Sequence, residues 1–147
     1  FTNLAVFFAI ITITSRTGDD SIRGLNGMLK RSPLLASLLV FGLLSLLGMP
    51  PTVGFMAKVV VFGSALNADL AWLAVVGVIN TVIAAYYYLR IIRAIVLEDP
   101  VELSTFSGDK PAVIATSVAA IGAGIFGLAP FLLLEFAKSA LTIIPSL

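Results

Sequence analysis

The run from Pro33 to Leu66, PLLASLLVFGLLSLLGMPPTVGFMAKVVVFGSAL, constrains the fold more than any other stretch of the chain. It is apolar enough to lie in lipid, yet longer than the ~20 residues with which a straight helix crosses a ~30 Å hydrocarbon layer. Its middle carries Gly48, Pro50, Pro51 and Gly54. Proline removes a backbone donor and clashes with the preceding turn, so the run is predicted to break there into two half-helices. Broken backbone at membrane depth must be buried in protein or line a wet cavity, and half-helix ends bind ions well. Lys58 follows the break, and the nearest charged residues on either side of it are Arg31 and Asp69. An ionisable side chain in that position is a candidate functional group by default.

Composition places the whole chain in a membrane. Hydrophobic residues make up 59% and charged residues 12%, against roughly 25% charged in soluble domains. The mean hydropathy is +1.10. There is no cysteine and no histidine, which removes the ordinary ligands of iron–sulfur clusters, zinc and His-ligated haem. Any redox centre coupled to this chain therefore belongs to another subunit. The net charge of +1 gives no basic face for nucleic acid, because the basic residues sit in loops and at helix ends.

The pattern predicts an all-α, polytopic bundle. Residues 1–14 read as the end of a membrane helix and 15–32 as a polar loop with Arg16, Arg23, Lys30 and Arg31. Residues 33–66 form the discontinuous span, 70–97 a further span, 98–111 a second polar loop and 112–137 the last span. Phe1 enters an apolar run without Met or a basic leader, so the chain is expected to be the C-terminal fragment of a longer multispanning protein. Ser32 before Pro33 reads as a helix N-cap with proline at the first helical position. Seven of the nine basic residues, all but Lys58 and Lys138, fall on one side of this arrangement. The positive-inside rule then makes both polar loops cytoplasmic.

Each candidate residue has a plain reading beside a sharper one. Lys58 either snorkels to the interface along its apolar stem or, partly buried beside trapped water, takes up and releases a proton. The distance from Lys58 to the end of its span, ~12 Å at 1.5 Å per residue, favours the proton relay. Tyr86, Tyr87 and Tyr88 form an aromatic belt or stack on a quinone, the belt being the commoner use. Asn80 and Thr81 read as interhelical hydrogen-bonding residues. Glu135 and Lys138 read as an ion pair on one helix face, and Glu98, Asp99 and Glu102 as a solvated acidic loop. Gly122, Gly124 and Gly127 match the spacing of a dinucleotide fingerprint, but inside an apolar span they are what close helix packing requires.

Three stretches carry a family resemblance: SLLGMPPTVGFMAKVVVF from Ser45, NTVIAAYYYLRIIRAIV from Asn80 and RGLNGMLKRSPLLA from Arg23. Together they resemble the C-terminal part of subunit N in the family of antiporter-like membrane subunits of proton-pumping NADH:quinone oxidoreductase, respiratory complex I. The PP-x-x-GF-x-x-K core is shared with multisubunit sodium/proton antiporters, whereas the Tyr-Tyr-Tyr-Leu-Arg segment leans toward subunit N. The resemblance implies a bundle with two inverted five-helix repeats, of which this chain supplies the end of the eleventh helix through the fourteenth. It makes Lys58 the terminal proton-channel residue and Gly48, Pro50, Pro51 and Gly54 the break that hydrates it. It also implies a subunit of a translocating oxidoreductase whose redox chemistry is not on this chain, with quinone, flavin, NADH and iron–sulfur clusters on partner subunits. Other membrane subunits and the lipid bilayer are the implied partners. The implied location is a bacterial plasma membrane, with the mitochondrial inner and thylakoid membranes as the other settings of such complexes. An antiporter subunit without redox coupling is the rival reading, and a purely structural scaffold the third.

Overall fold

A computed structural model describes residues 1–100, 104–106, 108, 110–129, 131 and 135. These residues form six α-helices and one short 3₁₀ turn: α1 (Thr2–Thr17), the 3₁₀ turn (Ile22–Leu25), α2 (Met28–Arg31), α3 (Pro33–Leu47), α4 (Val53–Asn67), α5 (Ala71–Leu97) and α6 (Lys110–Leu128). The long apolar run is thus two helices of 15 residues each. Among the described residues α5 and α6 are long and apolar enough to cross a membrane, whereas α3 and α4 are each too short to do so alone.

Several element ends differ from the sequence expectation. α1 runs on to Thr17, and three of its last hydroxyls bond back to the preceding turn, Thr14 to Ile11 O, Ser15 to Thr12 O and Thr17 to Ile13 O. Gly18 ends it at φ +68°, its N–H bonding Thr14 O at 2.8 Å. The polar loop after it is partly helical. In that loop Ser21 N–H donates to Asp19 Oδ1 at 2.8 Å, which holds the Asp19 carboxyl below the ordinary carboxylate range. α3 does begin at Pro33 after Ser32, but the Ser32 side chain makes no capping bond. The last span starts at Lys110, and its expected end at residue 137 lies outside the described residues.

The core lies where α3 is wrapped by its neighbours. Leu35, Leu39 and Leu43 of α3 are at most 2% exposed and pack with Val6, Ala9 and Ile13 of α1, Met28 of α2 and Ile95 of α5. Small residues permit the close approaches, as membrane helix packing requires. A Cβ on Gly42 would stand 2.6 Å from Val6 Cγ2, and Ala119 and Ala120 of α6 are buried against Ala5 of α1. Gly122, Gly124 and Gly127 lie in α6 and face Phe1, Phe41 and the Pro51–Val53 backbone respectively. They serve helix packing, as the sequence pattern implies.

The antiparallel partner of both short helices is α5. Gly77, near its start, packs on Phe62 of α4, while Tyr88, Ile91 and Ile92, near its end, pack on the core around α3. The Gly27 N–H, just before α2, also bonds Ala94 O of α5 at 2.9 Å. α3 and α4 consequently follow one another along α5, whose 27 residues extend ~40 Å at 1.5 Å per residue.

Candidate functional site

The site is the junction between α3 and α4, and it begins with the problem every helix end poses. The last four carbonyls of a helix have no partner within it. In α3 these belong to Leu44, Ser45, Leu46 and Leu47. Gly48 adopts φ +87°, a conformation that a residue without Cβ enters at little strain. This turns the chain so that Gly48 N–H reaches Leu44 O and Ser45 O, both at 3.1 Å, and Met49 N–H reaches Leu44 O at 3.1 Å. That closing pattern is a Schellman turn. Two carbonyls remain, and Lys58 takes both: its Nζ donates to Leu46 O at 3.0 Å and to Leu47 O at 2.7 Å.

Lys58 reaches this point because helical side chains lean toward the N-terminus of their own helix. From its place on α4 the stem runs back over the first turn of that helix to the end of α3. A cation there also meets the negative end of the α3 dipole. The side chain is half-buried. Gly48 is required for its dihedral angles, and a Cβ on it would lie 2.9 Å from Lys58 Nζ, so that the end of the lysine would have to shift.

The other residues singled out in sequence meet at the same junction. The Pro50–Pro51 peptide bond is cis, and the Pro51 carbonyl lies against Gly127 of α6, where no Cβ would fit. Thr52, 4% exposed, donates its hydroxyl to Met49 O at 2.7 Å and so closes the turn before α4. Gly54 sits against the Ser45 carbonyl with no room for a side chain. Gly48, Pro50, Pro51, Gly54 and Lys58 thus belong to one local structure.

Two further features were not legible as such. Thr2 Oγ1 and Ser45 Oγ form a buried hydrogen bond of 3.1 Å between α1 and α3. Arg31, 7% exposed, donates through Nε to Ser104 O at 3.2 Å and through a terminal nitrogen to Ser104 Oγ at 3.4 Å, and its guanidinium lies 5.4 Å from the Phe106 ring centre. In the sequence, Ser45 is one hydroxyl in an apolar run and Arg31 one basic residue in a basic loop.

Other expectations change on inspection. Thr81 does not bond across helices: its hydroxyl donates to Gly77 O of its own helix at 2.9 Å, the usual back-bond of a mid-helix threonine. Asn80 lines an open, mostly apolar groove of about 710 Å³ between α4 and α5 with Phe62, Ser64 and Ala65. Tyr86 and Tyr87 are exposed and meet edge to face, whereas Tyr88 packs on the core. Asp99 is ion-paired rather than only solvated, with Lys30 Nζ 2.9 Å from its Oδ1. Lys138, half of the expected pair with Glu135, and Glu102 of the acidic loop lie outside the described residues.

Comparison with known proteins agrees with the membrane reading. The chain is 39% identical over 142 residues to NADH-quinone oxidoreductase subunit N of Dehalococcoides mccartyi, covering 97% of this chain and 29% of that protein. It is 39% identical over 113 residues to NAD(P)H-quinone oxidoreductase subunit 2 of Nostoc punctiforme, covering 77% and 21%. Among solved structures, a chain of respiratory complex I from Thermus thermophilus with bound aureothin superposes with a TM-score of 0.76 at 29% identity, over 91% of this chain and 32% of the other. The present chain therefore spans about a third or less of these relatives. The transmembrane family described as NADH:quinone oxidoreductase/Mrp antiporter matches residues 1–84. Since that match takes in more than half of the 147 residues, the protein is an integral membrane member of the NADH:quinone oxidoreductase/Mrp antiporter family.

Proposed function

We propose that this chain is part of a proton-translocating membrane subunit of a complex I-type NADH:quinone oxidoreductase, with Lys58 as a proton carrier at the interruption of a single membrane span made by α3 and α4. The observation that carries this is the pairing of the Lys58 ammonium with the two remaining carbonyls of α3. An ammonium in a bilayer needs either a route to the interface or polar partners inside, and the junction supplies partners. Carbonyl oxygens accept hydrogen bonds but do not pass protons on. Two of the three N–H groups are engaged in this way, which leaves one direction for exchange with water at the break.

In this reading the loops with Arg16, Arg23, Lys30, Arg31 and Lys110 face the cytoplasm of a bacterial cell, and the α4–α5 turn faces outward. Quinone reduction on partner subunits drives the charge movements, and the neighbouring membrane subunits complete the path. Flavin, NADH and iron–sulfur chemistry belong to those partners.

The deciding experiment is Lys58→Met in the full-length subunit, assembled in its complex and reconstituted in vesicles. Proton uptake coupled to quinone reduction is expected to fall by at least ~100-fold, the low end for a positioned proton-transfer group, with assembly intact. Unchanged uptake would overturn the proposal. The family's shared antiporter membership favours one rival, a sodium/proton antiporter subunit without redox coupling. Sodium-dependent proton exchange in vesicles lacking an electron donor would establish that rival instead.

A further inference from the structure

Lys30, Arg31 and Lys58 each find a partner within the chain: Asp99, Ser104 and the Leu46 and Leu47 carbonyls respectively. Arg90 and Arg93, near the end of α5, do not. Both are exposed, and among the described residues neither makes an ion pair or a hydrogen bond. Tyr86 lies four residues before Arg90 and seven before Arg93, so the three share one face of the helix. Helical side chains lean toward the N-terminus of their own helix, which carries both guanidinium groups back toward Tyr86 and away from the polar loop that follows. With Tyr86 and Leu89 they line an open cleft of about 340 Å³.

The same face continues as hydrocarbon. Val82, Ile79 and Val75 lie four, seven and eleven residues before Tyr86, and each is more than half exposed. Ile79 also borders the groove between α4 and α5. From Arg90 back to Ile79 the helix runs ~16 Å at 1.5 Å per residue, and one leaflet of a ~30 Å hydrocarbon layer is ~15 Å deep. The face therefore offers two positive charges at the head of an apolar track as long as one acyl chain is deep. Charge held beside hydrocarbon needs a counter-charge, and the guanidinium fork fits the oxygens of a phosphate.

We propose that Arg90 and Arg93 bind the phosphate of an anionic phospholipid, with one of its acyl chains laid along Val82 and Ile79 toward the α4–α5 groove. Tyr86, 66% exposed, stands where headgroup gives way to acyl chain, the level that amphipathic rings favour. A free phosphate would satisfy the arginines but leave the apolar track uncovered. A phosphatidylcholine headgroup would bring its own cation beside them. The ligand is thus a phospholipid of net negative charge, such as phosphatidylglycerol. The site shares no residue with the α3–α4 junction and stands whether or not Lys58 carries protons.

The test reconstitutes the full-length subunit, in its assembled complex, in phosphatidylcholine vesicles doped with a photoactivatable phosphatidylglycerol, and maps the label by mass spectrometry. Wild type is expected to be labelled on α5. Arg90→Gln and Arg93→Gln are each expected to cut that label about fivefold, the share of one basic residue near an anionic surface. Lys110→Gln, a change at another exposed cation at the start of α6, is expected to leave it unchanged. Excess unlabelled phosphatidylglycerol should compete, whereas inorganic phosphate and phosphatidylcholine should not. No label on wild-type α5, as when another subunit covers this face, would overturn the proposal. An equal loss in Lys110→Gln would overturn it too, by showing only a general attraction to the basic end of the bundle. Competition by inorganic phosphate would assign the arginines to free anions instead. The competition arms need wild type alone, so they decide the matter even if a variant fails to assemble.

Discussion

α3 and α4 are equal in length, yet six residues of α3 are buried and none of α4 is. α3 has α1, α5 and α6 around it, and its Leu35, Leu39 and Leu43 fill the core. α4 turns Val59, Val60 and Val61 outward, between 45% and 62% exposed, and borders the open groove against α5. The contrast follows the neighbours that each helix has. In lipid an apolar face gains little by meeting another one, and packing geometry decides which helices associate. The lysine sits on the more exposed helix and reaches to the more buried one, where its two carbonyl partners lie.

Removing packing on each side should give the largest effect. Leu39→Ala is expected to destabilise the chain by about 2–3 kcal/mol, toward the low end for buried leucine because the unfolded helices remain in lipid rather than water. Val61→Ala should cost under about 0.5 kcal/mol, as for an exposed position. Denaturant unfolding in detergent micelles measures both, and equal losses would erase the contrast between the two helices.

Next in size is the junction itself. Gly54→Ala puts a methyl group into the Ser45 carbonyl and should cost about 1–3 kcal/mol, the usual range for overpacking. Gly63→Ala, in the same helix but with open space around it, should be neutral or slightly stabilising, as glycine-to-alanine changes in helices are. If the two behave alike, α3 and α4 are not in contact at the junction.

The smallest effect belongs to the surface. The hydrogen bond and charge of Lys30 hold the Asp99 carboxyl below its ordinary value of 3.8. A depressed folded-state value stabilises the fold above pH 3.8 and loses that contribution as pH falls through the depressed value. Both side chains are well exposed, so Lys30→Ala should shift the midpoint of unfolding only slightly at pH 7. The difference from wild type should vanish in strong acid or high salt. A difference that persists in both would assign Lys30 another partner.

The positions of the helices were largely readable from residues. The Gly48–Gly54 segment predicts an interruption and the structure has one there, and the small residues of α6 predict close packing and provide it. Hydroxyls were the weak point. Thr81 and Thr2 are the same residue type in apolar helices, yet one bonds its own carbonyl and the other a neighbouring helix. Sequence periodicity does not separate these cases, because the choice depends on which helix lies within about 3 Å of the oxygen. α1 outlasted its expected end, and the hydroxyls of its last turn bond the backbone of the preceding one.

The sequence by itself determined that this is a helical membrane protein with one interrupted apolar run and one lysine beside the interruption. Proline chemistry, glycine freedom and the cost of charge in hydrocarbon act locally and need no fold to be read. Only the tertiary structure decided that Lys58 turns toward Leu46 and Leu47, that Ser45 meets Thr2, and that α3 is enclosed while α4 is open. Those outcomes depend on which helices lie side by side, and contacts between distant parts of the chain leave no local mark in the order of its residues.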